Sequence, residues 1–173
     1  STTHPTSSAT RMASRSALGH APARSGCIPG RPLPCDIATE ETALIYQHPY
    51  GINVARRGRS GGIWFTQSSQ YNPERGEEEL FQSLDMPTPD GMLSYLPPSD
   101  GPEETLAAPV AEGLVFANGI TLDEDRGYLY VGETMAGVAR RYQVDIEAGQ
   151  VSEPTVVFER FSPDNLDLDR DNR

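Results

Sequence analysis

Two stretches decide how this chain is read: Ala117-Asn118-Gly119-Ile120-Thr121-Leu122-Asp123 and, 46 residues further on, Pro163-Asp164-Asn165-Leu166-Asp167-Leu168-Asp169. Each sets an amide or carboxylate at the head of a short, alternating apolar run. The same offset carries Gly91-Met92-Leu93-Ser94-Tyr95 onto Gly137-Val138-Ala139-Arg140-Arg141. Self-similarity at about 40–50 residues, built from short strands, predicts the blades of a β-propeller. A polar residue at the same point of successive blades falls on one ring around the central channel, where a cation can be held.

A weaker third copy starts at Pro49-Tyr50-Gly51-Ile52 and continues into Ile63-Trp64-Phe65-Thr66, with Tyr50 standing where the other copies carry Asn118 and Asp164. The chain is therefore expected to be all-β, an incomplete propeller of about three blades over residues 36–173. Closing a propeller takes at least four blades. The reading is of part of a larger ring, or of a chain that self-associates through exposed strand edges.

Strands are predicted at Ala43–Gln47, Gly51–Ala55, Gly62–Thr66, Met92–Leu96, Val115–Leu122, Tyr128–Gly132, Val138–Val144, Thr155–Glu159 and Leu166–Leu168. Each is rich in β-branched or aromatic residues and bounded by Gly, Pro, Asp or Ser. Asp123–Gly127 and Asp145–Gly149 read as tight hairpin turns. The polar excursion between Gln67 and Asp90 reads as a surface or rim loop, with a helical turn or two at Glu78–Leu84.

Residues 1–35 differ in kind. They carry four arginines and no acid, whereas all 25 acidic residues follow Cys35. Rich in Ser, Thr, Ala and Pro, this segment offers too little apolar surface to offset its ordering entropy, and disorder is expected. Its composition is that of a transit peptide or, as the favoured alternative, of a spurious leader. The formal net charge of −11 excludes a nucleic-acid-binding role that depends on a basic footprint. Lysine is absent. Cys27 and Cys35 are too few for a disulfide framework or a zinc site, although they permit one short-loop disulfide. No apolar run is long enough to span a membrane. The default expectation is a soluble, cytoplasmic protein.

Asn118, Asp164 and Asn165 are hard oxygen donors without an accompanying His or Cys. That set suits Ca²⁺, or another hard divalent cation, rather than a soft metal. Such an ion polarises a carbonyl and stabilises a developing oxyanion. Asn-Gly and Asp-Asn are also common turn dipeptides, so a turn-only role stands beside the site reading. Asp167-x-Asp169-x-Asp171 mimics the opening of an EF-hand loop but lacks its glycine and terminal Glu, and a solvated tip is expected. Glu133 either faces the channel or caps a turn. No G-x-S-x-G nucleophile elbow occurs, and His4, His20 and His48 are isolated.

At these residues the sequence resembles the gluconolactonase/senescence-marker-protein family. The resemblance rests on Ala117–Leu122, Leu129-Tyr130-Val131, Glu133-Thr134-Met135-Ala136 with Arg140-Arg141, and Pro163-Asp164-Asn165-Leu166. The Gly62–Ser69 stretch and the Glu-Thr-Met-Ala run look closest to strictosidine synthase-like and paraoxonase-like relatives. The resemblance implies a six-bladed propeller, Ca²⁺ in the channel and hydrolysis of a small lactone or ester. It implies Asn118 as metal and substrate contact, Asp164 as metal ligand and catalytic base, and Asn165 as a further ligand. Two positions depart from the pattern. The Asn-Asp usual before the Ile-Trp-Phe-Thr strand is replaced by Tyr50-Gly51-Ile52-Asn53, where Asn53 fits only with a register shift, and Gln67 replaces the usual Asp. Beside the hydrolase reading stands a non-catalytic propeller module whose polar ring is structural.

Overall fold

The computed structural model describes residues 10–11, 35–36, 41–42, 46–71, 78–99 and 106–169. Among them lie thirteen strands and one helix: β1 Thr10–Arg11, β2 Cys35–Asp36, β3 Glu41–Thr42, β4 Gln47–His48, β5 Ala55–Arg57, β6 Ile63–Gln67, α1 Glu78–Asp85, β7 Gly91–Leu96, β8 Ala108–Leu114, β9 Ala117–Asp123, β10 Tyr128–Glu133, β11 Val138–Asp145, β12 Gln150–Val151 and β13 Thr155–Glu159. The protein is all-β. Its body is two antiparallel meanders, β5-β6-β7-β8 and β9-β10-β11-β13, with β12 pairing the far end of β11. These are two successive four-stranded blades.

Each blade is built by hairpins, and the sequence supplies the turns. Gly127 and Gly149 close two of them with φ of 69° and 65°, the left-handed region that glycine enters without steric cost. The Asp123 carboxylate accepts the Arg126 N–H, and the Asp145 carboxylate accepts the N–H groups of Glu147 and Ala148. The passage from the last strand of one blade to the first of the next is different. It turns at Phe116 (φ 56°) after the first blade and at Arg160 (φ 66°) after the second. This is why the run predicted as Val115–Leu122 begins only at Ala117. Val115 belongs to the crossover, where its N–H binds a side chain rather than a ladder.

The core lies between the blades. Trp64, Leu93, Tyr95 and Leu114 of the first pack against Ala117, Ile120, Leu129, Val131, Tyr142 and Val144 of the second. The other face of the first blade buries Ile63, Phe65 and Leu96 beneath Tyr46, Ile52, Ala55 and Ala107. β6 is covered on both faces, so all five residues are buried and the usual alternation disappears. Burying an aromatic pair such as Trp64 and Tyr95, with ring centroids 4.4 Å apart, contributes on the order of 0.5–1.5 kcal/mol beyond its area.

Most predicted strands stand, within a residue or two; the Gly51–Ala55 run is a regular strand only from Ala55 to Arg57, and residues 43–45 of the Ala43–Gln47 run lie outside the described residues. β8 carries no strand signal in the sequence, because Ala108-Pro109-Val110-Ala111-Glu112-Gly113 has neither β-branched density nor tolerance of an inner position. Proline is confined to edge strands, and β8 is the outer edge of its blade. Leu166–Leu168 forms no ladder, because no strand runs beside it among the described residues. Asp167 and Asp169 in this segment are exposed, and the rest of the Asp-x-Asp run lies outside the described residues. Helix α1 realises the predicted helical turns. Of the segment expected to be disordered, Thr10–Arg11 pairs with Gln47–His48, and Cys35 begins a second two-residue ladder. The remainder, with His4, His20 and Cys27, lies outside the described residues.

Candidate functional site

Asn118 is the second residue of β9 and is 8% exposed. Its Nδ2 donates to the Thr134 Oγ1 at 3.2 Å, and that hydroxyl donates to the Pro163 carbonyl at 2.6 Å. One hydroxyl thus links the head of one blade to the residue before Asp164. Gly119 explains the rest of the approach. It lies inside β9 with ordinary negative φ, so Asn118-Gly119 is not a turn. A Cβ at position 119 would collide with the Asp164 carbonyl oxygen and come within 2.7 Å of the Leu166 nitrogen. Glycine stands there because the backbone of 164–166 crosses directly over it. Asp164 and Asn165 are both exposed on this crossing segment, while Pro163 is buried.

The first blade repeats the device. Asn53 Nδ2 donates to Ser68 Oγ at 2.8 Å, and Ser68 Oγ donates to the Ala117 carbonyl at 2.9 Å. Asn53 therefore occupies the position that Asn118 holds one blade later, and Ala117 corresponds to Pro163. This corrects the alignment of Tyr50 with Asn118. The inner strand of the first blade extends back to Asn53, whose N–H bonds to the Thr66 carbonyl at 2.9 Å. The spacing Asn53 to Asn118 is 65 residues, against 46 from Asn118 to Asp164. The helix-bearing excursion between β6 and β7 takes up the difference. The signal that could have found Asn53 was the Ser68–Thr134 match at the ends of β6 and β10.

Three polar residues near the ring have other occupations. Glu133 is fully buried. Its Oε2 accepts the Val115 N–H at 2.7 Å, and its Oε1 is ion-paired with the Arg140 Nε. Glu133 therefore clamps the crossover, which settles the choice between channel and turn. Gln67 points into the opposite interface, where its Oε1 lies 2.8 Å from His48 Nε2. His48 Nδ1 lies 3.0 Å from the Tyr46 hydroxyl. With Nδ1 accepting that O–H, the imidazole is neutral and donates from Nε2. Burial pushes the His48 imidazole below its ordinary value, partly offset by the bond to Gln67. Burial also pushes the Tyr142 phenol up to about 12, with the Glu133 charge adding to the effect.

Among the described residues, no three His, Cys, Asp or Glu side chains are grouped to hold a metal ion. A cation at the ring would be held chiefly by amide and carbonyl oxygens with the Asp164 carboxylate. That donor set fits a hard ion such as Ca²⁺ and does not fit a soft one.

The profile of the SMP-30/Gluconolactonase/LRE-like region family matches residues 35–173. The chain belongs to this family. No curated protein matches the chain. SMP-30/gluconolactonase proteins are β-propellers and include lactonases, so the two blades are part of such a ring.

Proposed function

We propose that this SMP-30/gluconolactonase family chain is part of a Ca²⁺-dependent lactonase-like hydrolase of a small lactone or ester. One observation carries the reading: Asn118 and the backbone leading into Asp164 are tied through a single hydroxyl at the heads of successive repeats. Asn118, Asp164 and Asn165 would hold the ion, and Asn118 would also contact substrate. Bound there, Ca²⁺ or another hard divalent cation would supply Lewis-acid polarisation of the scissile carbonyl. Asp164, exposed on the crossing segment, would accept a proton from the attacking water as general base. It would return that proton to the leaving alkoxide as the ring opens. The buried Asn118 amide would fix the substrate against one face of the site.

With one carboxylate in the set, Ca²⁺ affinity is expected to be weak, about 10⁻⁴–10⁻³ M. Calorimetric Ca²⁺ titration and a lactone-hydrolysis assay test the proposal. Ca²⁺-dependent turnover that disappears in Asp164→Ala supports it. Turnover indifferent to Ca²⁺ or to Asp164→Ala would remove the mechanism. Ca²⁺ binding without hydrolysis of any lactone or ester tried would favour the non-catalytic module.

A further inference from the structure

We propose that Ser68 and Thr134 are positioning residues. Each hydroxyl fixes the orientation of the neighbouring asparagine amide, so that Asn53 and Asn118 turn their nitrogens inward and present Oδ1 to the site. The functional part of this inference rests on the cation-site reading above. The orientation itself does not.

The argument is one of donor arithmetic. A hydroxyl carries one proton. Ser68 Oγ gives its proton to the Ala117 carbonyl at 2.9 Å, and Thr134 Oγ1 gives its proton to the Pro163 carbonyl at 2.6 Å. A carbonyl oxygen only accepts, so neither direction can reverse. Each hydroxyl can then meet its asparagine only as an acceptor, and the sole donor on that amide is Nδ2. The two arms of an Asn amide are nearly identical in shape, and the network decides which is which. Here it leaves Oδ1 on the arm turned away from the hydroxyl, with lone pairs available to a cation or to a substrate donor. A flipped amide would set oxygen against an oxygen lone pair across the 3.2 Å between Asn118 and Thr134.

The arrangement occurs twice, at the ends of β6 and β10, with a serine in one copy and a threonine in the other. What the two copies share is the oxygen. Each relay runs from a ring asparagine to the carbonyl of the residue just before the next ring residue: Ala117 before Asn118, Pro163 before Asp164. Each hydroxyl therefore sets both the amide's orientation and its spacing from the next ring residue. Outer-sphere hydrogen bonds of this kind carry about 10–100-fold in metal affinity.

The test uses the full 173-residue chain. Thr134→Val removes both hydrogen bonds at nearly constant shape, and Thr134→Ser restores the oxygen. The side-chain amide resonances of Asn118, assigned by their loss in Asn118→Asp, report orientation without any metal. One amide proton should be hydrogen-bonded and slowly exchanging in the native chain and in Thr134→Ser, and should lose that protection in Thr134→Val. Ca²⁺ affinity by calorimetry should fall about tenfold or more in Thr134→Val and recover to within about threefold in Thr134→Ser. Unchanged amide signals in Thr134→Val would overturn the relay. Changed signals with unchanged affinity would overturn its positioning role. If the native chain takes up no Ca²⁺, the hydrolase proposal fails and the positioning role fails with it, while the amide signals still decide the relay. Should Thr134→Val not fold, Ser68→Ala read at the Asn53 amide decides the same question in the first blade.

Discussion

Replacing Gly119 by alanine adds one methyl group where two blades meet, and two effects then compete. An ordinary Gly→Ala change at negative φ stabilises by about 0.4–1 kcal/mol, because the unfolded chain loses freedom. Here the new Cβ would lie 2.7 Å from the Leu166 nitrogen and 3.0 Å from the Asn165 carbonyl carbon, and closer still to the Asp164 carbonyl oxygen. The obstructing atoms are backbone and cannot swing aside as a side-chain tip can. Restoring ordinary contact, 3.4 Å or more, moves the 164–166 backbone by on the order of 1 Å. Overpacking of this size costs about 1–3 kcal/mol. The segment is held in no ladder, so it yields rather than the core, and the net loss should lie near the lower end, about 1 kcal/mol. The displacement matters more than the energy. Metal–oxygen distances tolerate about ±0.2 Å, so a shift of that order should abolish any joint site of Asn118 with Asp164. Urea denaturation should show the modest loss, and amide resonances of residues 164–166 should move while those of β6 and β10 stay. Gly132→Ala is the milder comparison, since its Cβ meets side-chain atoms rather than backbone, the Pro163 ring at 2.9 Å and the Leu166 Cδ1 at 3.6 Å. A Gly119→Ala chain that is stabilised, with residues 164–166 unmoved, would refute the close crossing.

Glu133→Ala should destabilise the chain by about 3–5 kcal/mol, since it strips the Val115 N–H and the Arg140 guanidinium of a fully buried partner. Arg140 is 32% exposed and can recruit water, which pulls the figure toward the lower end, and a loss under 1 kcal/mol by chemical denaturation would deny the clamp. Stability should also depend on pH through His48. Its folded pKa lies below the unfolded value of 6.5, so the unfolded chain binds the proton more readily. Stability is then fully present above about pH 6.5 and declines as pH falls through that value toward the folded pKa. A His48→Gln chain should show a flatter profile from pH 7 to 5, and an unaltered slope would contradict the buried neutral imidazole. Tyr142 gives the opposite wing. With its phenol pushed up to about 12, stability should fall as pH rises above about 10, and Tyr142→Phe should remove that dependence in alkaline melts.

By itself the sequence determined the class of fold, because short alternating runs and Asp/Gly turns are local signals that need only near neighbours along the chain. Thr155–Glu159 was legible residue for residue, and the hard-oxygen character of Asn118, Asp164 and Asn165 was legible from residue type. What the sequence could not determine was which residues face one another across blades. Loop length carries little free energy, so the excursion before β7 lengthens one repeat at small cost and shifts its register from 46 to 65 residues. Only the folded chain placed Asn53, rather than Tyr50, opposite Ser68 and in line with Asn118. Tertiary packing also decided that Gly119 answers a backbone crossing rather than a turn. It allowed Pro109 in a strand, because that strand is an edge. It placed Glu133, compatible in sequence with either channel or cap, at the crossover, because a buried carboxylate goes where an arginine and an orphan N–H satisfy it.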